Sequence, residues 1–263
     1  AAAQESELMS LKDIVKTKPD FETYRAIIYG VGGIGKSTLA SKSENPIFLD
    51  IEGGLSCIEV ASIPLMNVNP PEAYEKFIQT LAMLYDEDHD YKTLVIDSLD
   101  WLERIVHAHT CKTKRIDDIA TLDFGRGYVA ALGFMEQIIN KLEKLRSKKK
   151  MNMILLSHAA QVKVDNPGEE ERMKWNLQLH HKSTAKFFQW SDLCLFANYE
   201  VRTTKETGSF GKQRIIAHGS ERILFTRDHA NHAAKNRLGL PDPMEMDWEL
   251  IQEFINNAKK KGK

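Results

Sequence analysis

Tyr29-Gly30-Val31-Gly32-Gly33-Ile34-Gly35-Lys36-Ser37-Thr38 sets four glycines within six positions ahead of a lysine and two hydroxyls. The spacing G-x-x-x-x-G-K-[ST] is that of a phosphate-binding loop. Glycine tolerates positive φ and close backbone approach, so successive N–H groups can turn inward around an anion. On this reading Gly30, Val31, Gly32, Gly33, Ile34, Gly35, Lys36, Ser37 and Thr38 bind ATP. Lys36 reaches the β- and γ-phosphates, Ser37 places its hydroxyl on Mg²⁺, and Thr38 donates to the α- or β-phosphate.

Two acidic segments supply the rest of a hydrolytic site. Leu94-Val95-Ile96-Asp97 is an apolar β-branched run closed by an acid, the Walker B pattern, in which Asp97 joins Ser37 in the Mg²⁺ shell. Phe48-Leu49-Asp50-Ile51-Glu52 is a second apolar run that ends in carboxylates. Either Asp50 or Glu52 could orient or deprotonate an attacking water, and Glu52 is the residue assigned. A third run, Met151 to Leu156, closes on Ser157-His158, which could contact a γ-phosphate or a water. Far downstream, Lys235 and Arg237 stand at i and i+2, so on an extended segment both point the same way and suit one triphosphate.

These residues need elements to hold them. A strand over Tyr24–Tyr29 precedes the glycine loop, and a helix opens at Lys36, where its N-terminal dipole favours phosphate. Short apolar runs at 46–51, 63–68, 91–97 and 151–156 read as strands, and helical periodicity marks 71–85, 99–109, 128–147, 182–189 and 248–258. Strand and helix alternate through the first 160 residues, which predicts a parallel sheet with helices on both faces. Strands at 193–199, 201–204, 214–218 and 223–226, with a turn at Gly208–Gly211, predict antiparallel additions at the C-terminal edge. Two polar stretches, 111–127 and 162–181, read as loops, the second carrying the turn signal Asn166-Pro167-Gly168.

Composition excludes several classes. The 263 residues carry a net charge of −1 and 42% hydrophobic residues, so nucleic-acid binding would have to come from local patches. No apolar run approaches the roughly 20 residues of a membrane helix. The three cysteines are scattered, which fits a reducing cytoplasm. His107, His109 and Cys111 do not face one way on a helix, so no metal other than Mg²⁺ is expected. The organisation expected is a polar lead-in over 1–20, one domain over 21–258 and a basic tail over 259–263.

The glycine loop, the strand ending at Glu52, Walker B at Asp97 and the stretch Ala234-Lys235-Asn236-Arg237-Leu238-Gly239-Leu240-Pro241 together resemble the RecA-type branch of phosphate-loop ATPases. Within it they look most like small phage-encoded ATPases that are little more than a RecA core, several of them implicated in single-strand annealing and recombination. The resemblance implies an α/β fold with a RecA-like core and a homo-oligomer, ring or filament. It also implies that Glu52 polarises water and that Lys235 and Arg237 act in trans on a neighbour's γ-phosphate. Where RecA carries a sensor Gln, this chain has Ser157-His158. The family's two DNA loops fall at about 110–127 and 160–182. That makes Lys112, Lys114, Arg115, Arg126, Lys163, Arg172, Lys174 and Lys182 the candidate phosphate contacts, and Trp175 the candidate base-stacking group. The implied function is ATP-dependent single-stranded DNA binding and annealing, in the host cytoplasm if the chain is phage-encoded. Alternatives are an ATPase switch acting on a partner such as a single-strand-binding protein, and a ring helicase motor.

Overall fold

A computed structural model describes residue 15 and residues 21–165, 168, 170–200, 202–207, 213–218 and 221–261. Its centre is a ten-stranded sheet. Five parallel strands form the middle: β1 (Arg25–Gly30), β2 (Pro46–Asp50), β4 (Thr93–Asp97), the first half of β5 (Asn152–Val164) and β7 (Leu193–Tyr199). Beside β2 lies β3 (Ala61–Pro64), also parallel, at one edge. The opposite edge is antiparallel, with β10 (Arg222–Phe225) on β7 and β12 (Met244–Glu245) on β10. Along the sheet the order is β12-β10-β7-β1-β5-β4-β2-β3. The architecture is mixed α/β, mostly parallel and helix-flanked, with antiparallel strands at one edge, consistent with a phosphate-loop NTPase fold.

The central strands are apolar through their middles because both faces are covered. Ile27 and Tyr29 of β1 face one core with Leu94 and Ile96 of β4, while Ala26 and Ile28 face the other with Val95. The first core is roofed by α2 (Pro70–Asp86), α3 (Leu99–Lys114), α4 (Arg126–Lys149) and α5 (His181–Trp190). The second is covered by α1 (Lys36–Ser41) and α6 (Trp248–Lys261) through Leu39, Ala40, Trp248, Ile251 and Ile255. Local signals set the helix ends. Pro70 and Pro71 open α2, and Arg146, Lys148 and Lys149 complement the dipole at the end of α4 before Lys150 closes it at φ 57°.

Several boundaries differ from the sequence reading. The stretch 162–181 is not a loop: β5 runs on past the sheet and pairs antiparallel with β6 (Arg172–Leu177). Val162 and Val164 across from Lys174 and Arg172 carry enough alternation for a hairpin, and the polar composition masked it. Helix α3 extends to Lys114, and two 3₁₀ turns, Ile119–Thr121 and Asp123–Gly125, bridge to α4, so little of 111–127 is irregular. The strands β8 (Arg202–Thr207) and β9 (Gln213–His218) form a separate hairpin instead of extending the main sheet. Its turn, most of the lead-in over 1–20 and residues 262–263 lie outside the described residues. Among the described residues no helix is long and apolar enough to cross a membrane.

Gly30, where β1 becomes the glycine loop, lies so close to β7 that an added Cβ would sit 2.3 Å from the Ala197 carbonyl oxygen. Gly30→Ala is therefore expected to cost roughly 1–3 kcal/mol in denaturant unfolding. Gly133→Ala on α4, where nothing lies within 4 Å, should stabilise by up to about 1 kcal/mol.

Candidate functional site

The glycine loop leaves β1 at Gly30 and enters α1 at Lys36. Gly33 (φ 75°) and Gly35 (φ 100°) take the left-handed conformations that a side chain would resist, and these turn the loop back on itself. Lys36 folds over the loop and its Nζ donates to the carbonyls of Gly30 (3.2 Å) and Val31 (3.1 Å). Burial lowers its pKa, against the attraction of Asp97, Glu52 and Asp100. Ser37 Oγ donates to Asp97 Oδ2 at 2.6 Å.

Opposite the loop, β4 passes into α3 through a cis peptide between Asp97 and Ser98. Ser98 Oγ donates to Glu52 Oε2 at 3.1 Å, and the other Glu52 oxygen lies 3.5 Å from His158 Nε2. The far side of the imidazole is held too: Nδ1 is 3.0 Å from Asp100 Oδ2, and the His158 backbone N–H donates to Asp100 Oδ1 at 3.0 Å. The bond to Asp100 raises the pKa of His158, with burial opposing and the charges of Asp100 and Glu52 assisting. Burial disfavours the charge on Asp100, but the His158 side-chain and backbone bonds outweigh it and hold the carboxyl below its ordinary range.

Gly33, Gly35, Lys36, Ser37, Thr38, Glu52, Asp97 and His158 line one cleft of about 260 Å³. A larger cavity of about 360 Å³ beside α2 and β3 is mostly apolar and gathers none of these groups, so the chemistry belongs to the cleft. The donor set fits Mg²⁺. Two hard oxygens, Ser37 Oγ and Asp97 Oδ2, meet beside the loop, and burial pushes the Asp97 carboxyl up to about 6, the mark of an acid that wants a cation. Among the described residues no three His, Cys, Asp or Glu side chains are grouped to hold a metal.

The structure places the other predicted residues as follows. Ser157 is fully buried and its Oγ donates to the His158 carbonyl at 3.0 Å, so His158 alone of the pair lines the cleft. Lys235 lies on β11 (Lys235–Asn236), which pairs with Cys194 and Leu193 at the start of β7, whereas Gly30 pairs with Ala197 further along. The two cations thus sit toward the other end of the sheet from their own phosphate loop. Lys235 Nζ donates to the carbonyls of Phe188 (2.7 Å) and Gln189 (3.0 Å), and half-exposed Arg237 reaches Asp192 at 3.3 Å.

Of the candidate DNA contacts, Lys112 pairs with Glu75, Lys163 with Glu171 and Lys174 with Asp228. Arg172 lies on β6, and half-buried Trp175 stacks on Phe196, ring centroids 6.0 Å apart. Arg126 donates to the Asp123 carbonyl, and Lys114, Arg115 and Lys182 are exposed with no ion pair among the described residues.

Three residues escaped the sequence reading. Ser98 and Asp100 follow Walker B, and their long-range partners Glu52 and His158 arrive from other strands. Arg222 lies on β10 with NH1 3.5 Å from the Ile34 carbonyl, against the glycine loop, and nothing local in the sequence marks it.

Residues 22–238 match the family described as AAA domain, and the chain belongs to that family. It is also similar to an uncharacterized protein derived from the SPbeta prophage, YorG of Bacillus subtilis (strain 168), at 23% identity over 137 residues. That match covers 52% of this chain and 41% of the relative, so the chain spans less than half the length of that relative.

Asp97 gives a test of the cation site. Its carboxyl rises from 3.8 to about 6 on folding, so its ionisation opposes the metal-free fold: the penalty is absent below about pH 4 and full above pH 6. Asp97→Asn should therefore raise the metal-free Tm by a few degrees at pH 7.5, a gain that vanishes toward pH 4, while Mg²⁺-dependent nucleotide binding falls. Thermal unfolding with and without Mg²⁺ and nucleotide checks both halves.

Proposed function

We propose that this AAA-domain chain hydrolyses ATP with Mg²⁺, and that it does so as a RecA-type oligomer acting on single-stranded DNA in annealing or recombination. The observation that carries the hydrolytic reading is the cleft itself. Lys36, Ser37, Asp97, Glu52 and His158 come from four separate strands or loops and meet on one volume a triphosphate can enter. Loop N–H groups and Lys36 take the phosphates, Lys36 releasing the Gly30 and Val31 carbonyls to do so. Ser37 and Asp97 would hold Mg²⁺, which would supply charge neutralisation to the triphosphate. Glu52, steadied by Ser98, orients the attacking water and accepts its proton.

The RecA-type reading rests on Glu52 following β2, the neighbour of the Walker B strand, and on Lys235 and Arg237 lying away from their own cleft, where a second subunit could receive them. A prophage-derived relative supports a phage origin, and with it the host cytoplasm as the place of action. For DNA the exposed cations Lys114, Arg115, Arg126 and Lys182 are the strongest candidates. The pairing of Lys112, Lys163 and Lys174 with acids and the packing of Trp175 favour a second reading, an ATPase switch that remodels a partner such as a single-strand-binding protein.

Lys36→Ala should reduce ATP turnover by roughly 10²-fold or more, and retained turnover in that variant would refute the assignment. Stimulation of turnover by oligo-dT separates the two readings: stimulation supports the DNA reading, and its absence alongside stimulation by a partner protein supports the switch. Arg237→Ala should cost about 10³-fold if the finger acts in trans. Mixing that variant with Lys36→Ala subunits should then restore part of the activity.

A further inference from the structure

His158 is faced from three elements. Asp100 of α3 grips it twice, at Nδ1 and at the backbone N–H; Glu52 after β2 stands 3.5 Å from Nε2; and Lys36 at the start of α1 adds a like charge across the cleft. The remaining cleft carboxylate, Asp97, is taken by Ser37. Asp100 is only 3% exposed, and both its oxygens are spent on His158. A carboxylate can only accept, so Nδ1 must carry its proton toward Asp100. Nε2 is then the atom left to the cleft. The Glu52 carboxylate beside it is an acceptor, as any phosphoryl oxygen would be, so a proton on Nε2 suits the arrangement.

We propose that Asp100 is a positioning residue that clamps His158 as an imidazolium, with Nε2–H aimed at the γ-phosphate end of the cleft. This rests on the hydrolytic reading above and deepens it. His158 then supplies within the subunit a cation that recognises the γ-phosphoryl group. Without nucleotide its Nε2–H faces Glu52, so one group alternately restrains the water-activating carboxylate and reads the phosphate. Burial of Asp100 keeps the clamp dry, and its two bonds keep the imidazole from rotating.

The test is Asp100→Asn, read in two ways. By NMR of the nucleotide-free protein, His158 should titrate above the ordinary histidine range in the wild type and move down in the variant; an unmoved titration overturns the proposal whether or not the chain hydrolyses ATP. In turnover, Asp100→Asn should drop kcat about tenfold on the alkaline limb of the pH profile, leaving ADP affinity unchanged. An equal loss of kcat at every pH would mean a merely structural role and overturn it. His158→Arg, which carries a cation at all pH values, guards against misfolding of the first variant. It should abolish the alkaline limb and make Asp100→Asn silent in its background, and a limb that persists there refutes the proposal. If the wild-type chain shows no ATP turnover while His158 still titrates as expected, the hydrolytic reading fails and the clamp stands.

Discussion

Gly30 pairs with His158, and Asp50 pairs with Asp97, because β1, β5, β4 and β2 run parallel in matched register. That register is the constraint on which the rest of the site depends. Parallel strands leave their C-terminal ends along one rim, and the residues just beyond those ends have nowhere to go but the crevice above it. The glycine loop and Glu52 follow β1 and β2, Asp97 ends β4, and His158 stands where β5 leaves its parallel neighbours, so a one-residue slip in any pairing would turn its functional side chain to the opposite face. Apolar packing on both faces of the sheet, with Phe77 and Leu102 on one and Leu39 and Ile251 on the other, is what prevents the slip.

The same burial that fixes the strands makes the rim electrostatically expensive. Lys36 and Asp97 are both nearly sequestered, and burial works against the charge of each. The chain answers with local partners: carbonyls for Lys36, a hydroxyl for Asp97, an imidazole for Asp100. None of these is a full counter-charge for the Lys36–Asp97 region. A magnesium triphosphate would bring the charges that this region lacks, so on the proposed reading the features that weigh on the nucleotide-free fold are those that would favour it. The family match to an AAA domain and the donor set beside the loop converge on this physical description.

Much of this was legible in the residues. The glycine loop declares itself by spacing, the buried strands by continuous apolar runs, and α2 by prolines ahead of a helical stripe, because each depends on neighbours within a few residues. Where local and tertiary signals competed, the local one misled. Polar residues and a Pro-Gly turn made 162–181 read as a loop, yet β6 completes a hairpin, with Trp175 and Ala233 joined through their backbones. For Lys235 and Arg237 the i, i+2 spacing does not say which partners the pair takes within its own subunit. The folded chain sends Lys235 to the carbonyls that end α5 and Arg237 to Asp192.

By itself the sequence determined which chemical groups exist and on what kind of element each rides: a phosphate loop between strand and helix, acids and a histidine at the ends of apolar strands. These are short-range facts, set by steric and periodic rules that act over a few residues. Tertiary structure alone decided which of those groups meet. That β5 inserts between β1 and β4 is not written in any local pattern, yet it is what brings His158 to Asp100 across 58 positions and lets Glu52 reach Ser98 across 46. Strand order is a property of the whole packed sheet, fixed by how helices of given length and apolar face can cover it, and it turns a list of reactive residues into a site.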